Sequence, residues 1–349
     1  MTYKRLNRKE KYIAVWLFII CALIFFMILL GGVTRLTQSG LSMVEWHPFM
    51  GIVPPLNNAE WREVFLEYKK FPEYQRINIG MTLVEFKRIF LFEYSHRLLG
   101  RFIGLVFALP FLYFLIRGHI SFGLGVRLSL IFIAGAFQAV LGWYMVRSGL
   151  TLNPDVSPYR LTAHLGLAVL IYGYTFLTAV SLIQPRSNFV YIRVRNNLRL
   201  IIVGLTGLTF LTILSGGLVA GNDAGLAYNS FPFMDGKILP EGVLSLDPWW
   251  SNYFENTILV QLNHRLLAIL VVILTLITWS ISFKYSIERG TRRALNIWAI
   301  SVLAQLGLGV STLLLFVPVH LAAAHQAGAI IVFTAALWCA SKVWRKDFK

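Results

Sequence analysis

Charge is scarce in this chain. Only 14% of its 349 residues are Asp, Glu, Lys or Arg, against roughly a quarter in soluble globular domains. That shortage excludes an ordinary water-facing surface. Acidic residues are scarcer still, 16 against 32 basic ones, for a formal net charge of +16. Such an excess could suggest a nucleic-acid partner. The basic residues, however, lie mostly in short runs between apolar stretches, which is the positive-inside pattern of a membrane protein, and nucleic acid is rejected as a partner. Cysteine is nearly missing. Cys21 and Cys339 sit inside apolar stretches near opposite chain ends, with no CxxC or zinc-type spacing. This excludes a structural disulfide and thiol chemistry.

What is abundant is apolar surface, 57% of residues, with many Phe, Trp and Tyr of the kind that anchor helices at lipid headgroups. A bilayer core takes about 20 mainly apolar residues per helix. Eight stretches satisfy this, roughly 13–33, 96–117, 126–146, 160–183, 199–220, 264–283, 293–316 and 319–341. The expected fold is an all-α integral membrane protein of eight transmembrane helices. Lys4, Arg5, Arg8, Lys9 and Lys11 before the first stretch imitate a signal peptide. The apolar run is too long for a signal core, and no small-x-small cleavage site follows, so it is read as a retained first helix.

Orientation follows from the connections. The N-terminus, the turn with Arg117 and Arg127, the segment from Arg186 to Arg199, the segment from Lys284 to Arg293 and the C-terminus from Lys342 to Lys349 are basic. They share one side, expected to be cytoplasmic, with both termini inside and the chain in the cell inner membrane. Two long loops, 34–95 and 221–263, then lie outside. The first contains a candidate helix from Asn58 to Tyr68 and a second amphipathic run near Met81 to Phe92, with Pro54 and Pro55 ahead of the first and Pro72 between the two.

The chain repeats itself. Gly31-Gly32-Val33 pairs with Gly216-Gly217-Leu218, and Thr37-Gln38-Ser39-Gly40-Leu41 with Asn222-Asp223-Ala224-Gly225-Leu226. His47-Pro48-Phe49-Met50 pairs with Phe231-Pro232-Phe233-Met234, Ser95-His96-Arg97-Leu98-Leu99 with Asn263-His264-Arg265-Leu266-Leu267, and Ala163-His164 with Ala324-His325. Two halves are expected, 1–190 and 191–349. Four helices each preserve membrane orientation, so the four-helix bundles should be related by a pseudo-twofold axis along the membrane normal.

Four of the seven histidines, His96, His164, His264 and His325, occupy matching positions. Ionisable residues at membrane depth are costly and usually face a cavity or a cofactor. His96 and His264 open the second and sixth stretches. His164 and His325 lie four to six residues into the fourth and eighth, so all four sit near the outer surface. Two imidazoles at one depth on facing helices can clamp a flat macrocycle, and neutral imidazole is a standard axial ligand of heme iron. Zinc fits less well, because neither half offers a second close pair of N or S ligands. The expected pairs are His96 with His164 and His264 with His325. His47, His119 and His320 are assigned ordinary interfacial roles. Arg97 and Arg265 each follow a pair histidine and are candidates for binding heme propionates, with headgroup anchoring as the alternative.

The halves differ at one chemical position. Glu93 precedes His96 by three residues, where the second half has Gln261 before His264. On a helix both members of each pair share a face. A glutamate there can hold water or accept a proton, so the N-terminal site is the candidate for proton-coupled chemistry and the C-terminal site for a heme used for electrons or structure. The alternative for Glu93 is a carboxylate paired with a nearby arginine.

At these residues the chain resembles the heme A synthase family, in its proteobacterial and mitochondrial type. The resemblance is carried by Gly31-Gly32-Val33-Thr34-Arg35-Leu36-Thr37 with Ser39-Gly40-Leu41-Ser42, by Glu93-Tyr94-Ser95-His96-Arg97, by Gly221-Asn222-Asp223-Ala224-Gly225 and by Asn263-His264-Arg265. The type with cysteine pairs in its outer loops is not matched. The resemblance implies oxidation of the methyl at ring position 8 of heme O to a formyl, by successive hydroxylations, to give heme A for cytochrome oxidase. It implies that His264 and His325 ligate a permanent heme b, that His96 and His164 hold the substrate heme, and that Glu93 helps deprotonate or orient water near the methyl carbon. Candidate partners are heme O, the heme O synthase, cytochrome oxidase assembly factors, membrane lipid and a second copy of the chain. Two other classes compete. A di-heme b-type electron carrier explains four histidines but not the Glu93/Gln261 difference. A transporter with parallel repeats calls for broken helices and unpaired midplane charges, and neither is found.

Overall fold

The computed structural model describes residues 8–45, 52–151, 154–184 and 192–343, with the side chains of 192–196 excepted. The regular elements of these residues are all helices, with no strand. Eight helices are long and apolar enough to cross a membrane: α1 (Arg8–Leu36), α4 (Leu83–Ile116), α5 (Phe122–Gly149), α6 (Pro158–Ile183), α7 (Ile192–Gly221), α9 (Thr257–Ile281), α10 (Arg289–Leu314) and α11 (Val319–Val343). Three short helices complete the set: α2 (Asn58–Tyr68), α3 (Pro72–Arg76) and α8 (Asn252–Glu255). Leu105, Leu109, Ile133, Ile300 and Leu303 are exposed on the long helices, which is a lipid-facing pattern rather than an aqueous one.

All eight expected stretches are helices, but several begin earlier than hydropathy suggests, α4 and α9 among them. The amphipathic run near Met81 to Phe92 is not a separate element. It is the first part of α4, which starts at a capping box in which Thr82 and Glu85 satisfy each other's backbone N–H groups. Glu93, Arg97 and Arg101 interrupt the apolar run there without breaking the backbone ladder. Likewise α9 starts at Thr257, where the Asn256 side chain accepts from the N–H groups of Ile258 and Leu259. His96 and His264 are therefore not at helix starts. At about 3.6 residues per turn, His96 lies nearly four turns inside α4 and His264 two turns inside α9.

The chain packs as two compact units, one from residues 1–22 and 169–349, the other from 23–168. In the second unit, the long connection after α1 folds onto α4. Trp61, Phe65 and Tyr68 recur every three or four residues along α2 and bury against Phe86, Phe90 and Tyr94, which are spaced the same way along α4. Phe65 stacks on Phe86 at 4.9 Å and Trp61 meets Phe90 edge-on at 5.1 Å. Each buried aromatic contributes on the order of 2 kcal/mol, so this loop has a core of its own. Beneath it, the buried Tyr68 hydroxyl donates to Glu73 (2.9 Å) and accepts from Asn78 (2.7 Å). In the first unit, Trp298 and Leu295 of α10 are completely buried among Ile202 and Leu205 of α7, Val271 of α9 and Ala336 of α11. Cys21 and Cys339 are buried free thiols.

Candidate functional site

Each histidine pair falls within one unit. His264 on α9 and His325 on α11 face each other with ring centroids 6.3 Å apart and planes at 88°. A metal–nitrogen bond is about 2 Å. Two of them, plus the distance from each nitrogen to its ring centre, put two imidazole centroids roughly 6 Å apart across one metal ion. The pair therefore has the separation that a shared axial ligation requires. The His264 Nδ1 lies 2.8 Å from Ser215 Oγ on α7. The Gln305 amide on α10 donates to the His325 carbonyl oxygen (2.8 Å) and lies 3.0 Å from His325 Nδ1.

The other pair, His96 on α4 and His164 on α6, lies close enough for the two imidazoles to interact electrostatically. Gln138 on α5 donates to the His164 carbonyl oxygen (2.9 Å), as Gln305 does to His325. All four rings are seated against glycines on a neighbouring helix. A Cβ at Gly31 would come within 3.1 Å of His96, at Gly142 within 2.9 Å of His164, at Gly216 within 3.2 Å of His264 and at Gly309 within 2.8 Å of His325. These helices can hold an imidazole where they do only because the side chain is absent.

Arg97 and Arg265 perform one task twice. Arg97 donates to the carbonyl oxygens of Glu45 (2.9 Å) and Met43 (2.8 Å), and its Nε to Glu93 Oε1 (2.6 Å). Arg265 donates to the carbonyl oxygens of Ser230 and Tyr228 (2.8 Å each) and to Gln261 Oε1 (3.2 Å). Each guanidinium thus ties the loop ahead of its helix onto that helix. Glu93 is 4% exposed and Gln261 3%. Where Gln261 stands in place of Glu93, Arg265 Nε is left buried with no partner. The carboxylate at position 93 is therefore buried and compensated by one arginine.

The family model described as "Cytochrome oxidase assembly protein" matches residues 14–337. A heme A synthase from Nitrosospira multiformis is 51% identical over 332 residues, covering 94% of this chain and 92% of that protein. Two eukaryotic relatives, each named heme A synthase COX15, are 44% identical in Arabidopsis thaliana (93% of this chain, 73% of that protein) and 42% in Bos taurus (96% and 83%). The chain belongs to the heme A synthase family.

In this family member the sequence reading found the four histidines, both arginines and Glu93, and the structure gathers them into two corresponding groups. It missed Gln138 and Gln305. The signal was available: Gln138-Ala139-Val140-Leu141-Gly142 and Gln305-Leu306-Gly307-Leu308-Gly309 are a further repeated element, a carbonyl-binding amide four residues before the glycine that admits a ring. It also missed Ser215. His119 packs beside Tyr113 and Phe114 and His320 is exposed, in keeping with peripheral roles. His47 lies outside the described residues. Among the described residues no group of three or more His, Cys, Asp or Glu comes together as a metal cluster. Beside Arg97, a cavity of about 270 Å³ is lined by Met43, Glu45, Trp143 and Arg147 among others, with the Arg147 guanidinium 5.4 Å above the Trp143 ring.

Proposed function

We propose that this chain oxidises the methyl at ring position 8 of heme O to a formyl, by successive hydroxylations, to yield heme A for cytochrome oxidase. The observation that carries the reading is the His264–His325 pair, two imidazoles set at right angles and 6.3 Å apart in a chain of the heme A synthase family. In this reading His264 and His325 hold a permanent heme b, and His96 and His164 hold the substrate. The halves 1–190 and 191–349 are the substrate and cofactor repeats, related by a twofold axis along the membrane normal. When bound, heme b supplies one-electron redox chemistry that no side chain can.

The protein's own part is proton handling and placement. Glu93 precedes the substrate ligand His96 by three residues on one helix face. Its Oε1 is held by Arg97, which leaves Oε2 to orient a water and take its proton at the methyl. Gln261 at the cofactor site cannot accept that proton. Arg97 keeps segment 43–45 folded over the outer end of α4, which limits bulk water beside the carboxylate. Arg97 and Arg265 are the candidates to meet a propionate of each heme, since a guanidinium matches a carboxylate in geometry. The basic connections support an orientation with the termini in the cytoplasm and both heme sites toward the periplasmic face of the inner membrane. The heme O synthase is the fitting donor of substrate.

Heme extraction from the purified protein, with mass analysis, tests this. Heme b together with heme O or heme A is expected, and two equal heme b molecules would indicate an electron carrier instead. Glu93→Gln should retain heme b while heme A formation stops. Normal product from that variant overturns the role of Glu93.

A further inference from the structure

We propose that Ser215 is a positioning residue that presets the His264 ring for iron, and that the lack of a counterpart in the N-terminal repeat keeps the substrate site exchangeable. The inference rests on the ligand reading above. A serine hydroxyl carries one proton. Ser215 spends it on its own helix, donating to the Thr212 carbonyl oxygen at 2.8 Å. We assign its second contact, 2.8 Å to His264 Nδ1, the other direction, with the imidazole N–H donating and the serine oxygen accepting. The proton of neutral His264 is thereby held at Nδ1, and Nε2 keeps its lone pair. Among the described residues Nε2 has no hydrogen-bond partner. A ring held this way is in the metal-binding tautomer before any heme arrives, and its donor bond makes it a stronger ligand.

The N-terminal repeat keeps the glycine but not the hydroxyl. Gly31 corresponds to Gly216, so Leu30 stands where Ser215 does, and leucine has no acceptor. On the opposite side, Gln138 and Gln305 alike donate to the carbonyl oxygen of their histidine, and both amide oxygens are buried without a partner among the described residues. Of the two C-terminal rings, His264 is the one whose Nδ1 proton a neighbouring hydroxyl can accept; at His325 the Gln305 amide N–H points at Nδ1. In the N-terminal pair, His164 Nδ1 is buried without a partner. A cofactor that stays and a substrate that must leave as product call for this difference.

The test uses the full-length protein in detergent and compares wild type with Ser215→Ala, Ser215→Thr, Leu30→Ser and His264→Ala. Transfer of heme b to excess apomyoglobin should be about 10–100-fold faster in Ser215→Ala, the range seen when a partner of a metal ligand is lost. The heme b midpoint potential should rise, because a less basic imidazole stabilises ferric iron less. Ser215→Thr keeps a hydroxyl and should restore both readouts, and Leu30→Ser should slow release of the substrate heme. Wild-type transfer rate and potential in Ser215→Ala overturn the positioning role. Retention of heme b in His264→Ala would instead overturn the ligand assignment beneath it.

Discussion

Gly309→Ala tests the site by steric means alone. A Cβ at this position would stand 2.8 Å from His325 Cε1, whereas carbon atoms in good contact sit at about 3.5–4.0 Å. Something must therefore move by about 0.7 Å or more. The neighbour is an imidazole ring, stiff and anchored through its backbone carbonyl to Gln305. Ligand bonds tolerate about 0.2 Å, so under the proposed function a shift of this size would take His325 out of reach of the iron. Overpacking also costs about 1–3 kcal/mol. Gly307→Ala is the matched control: it lies on the same helix with nothing within 4 Å of its Cβ. Freed of contacts, it should gain up to about 1 kcal/mol from helix propensity. The assay is heme b content per polypeptide, by pyridine hemochrome, alongside thermal unfolding. Gly309→Ala should lose most of its heme b, and Gly307→Ala should keep it with an equal or higher Tm. Full heme b in Gly309→Ala would refute the claim that the ring is seated against bare backbone.

Two further outcomes follow from residues away from the hemes. Burial in the folded loop pushes the Glu73 carboxyl up from 4.5 to about 7, against the smaller lowering effect of the Tyr68 hydrogen bond. A carboxyl whose folded pKa is raised stabilises the fold below its unfolded pKa and loses that contribution as pH rises through the folded one. Protease resistance of segment 52–94 should therefore fall between about pH 4.5 and pH 7, by at most roughly 3 kcal/mol, and Glu73→Gln should flatten the profile; an unaltered pH dependence in that variant counts against the argument. Asn256→Ala removes the N-cap of α9 and the donor to the Gly242 carbonyl oxygen (2.7 Å); it should cost about 1–2 kcal/mol, read as a lower Tm, and an unchanged Tm would show the cap is dispensable.

The eight spans were legible because each is a continuous apolar run, and so was α2, whose bounds follow from its aromatic spacing. The start of α4 was not, because Glu93, Arg97 and Arg101 end the apolar run that a bilayer reading follows, while the backbone continues to the capping box at Thr82. The histidine pairs stood out through repetition. Gln138 and Gln305 did not, since a glutamine within a helix has no motif of its own and its offset from the histidine differs, 26 residues in one repeat and 20 in the other. The loop-tying task of Arg97 and Arg265 was hidden for another reason: carbonyl oxygens accept hydrogen bonds whatever the side chain, so nothing in the letters 43, 45, 228 or 230 marks them as acceptors. Ser215 needed three dimensions, because its meaning lies in which way one proton points.

The Arg97 side chain has a mechanical implication. One guanidinium grips two peptide oxygens of the strap at 43–45 and the acid at 93. Lifting the strap would break both peptide contacts, whereas the ion pair, made four residues apart within one helix, does not depend on it. The guanidinium can thus release one partner and keep the other, so the acid's counter-ion stays with the helix rather than with the strap.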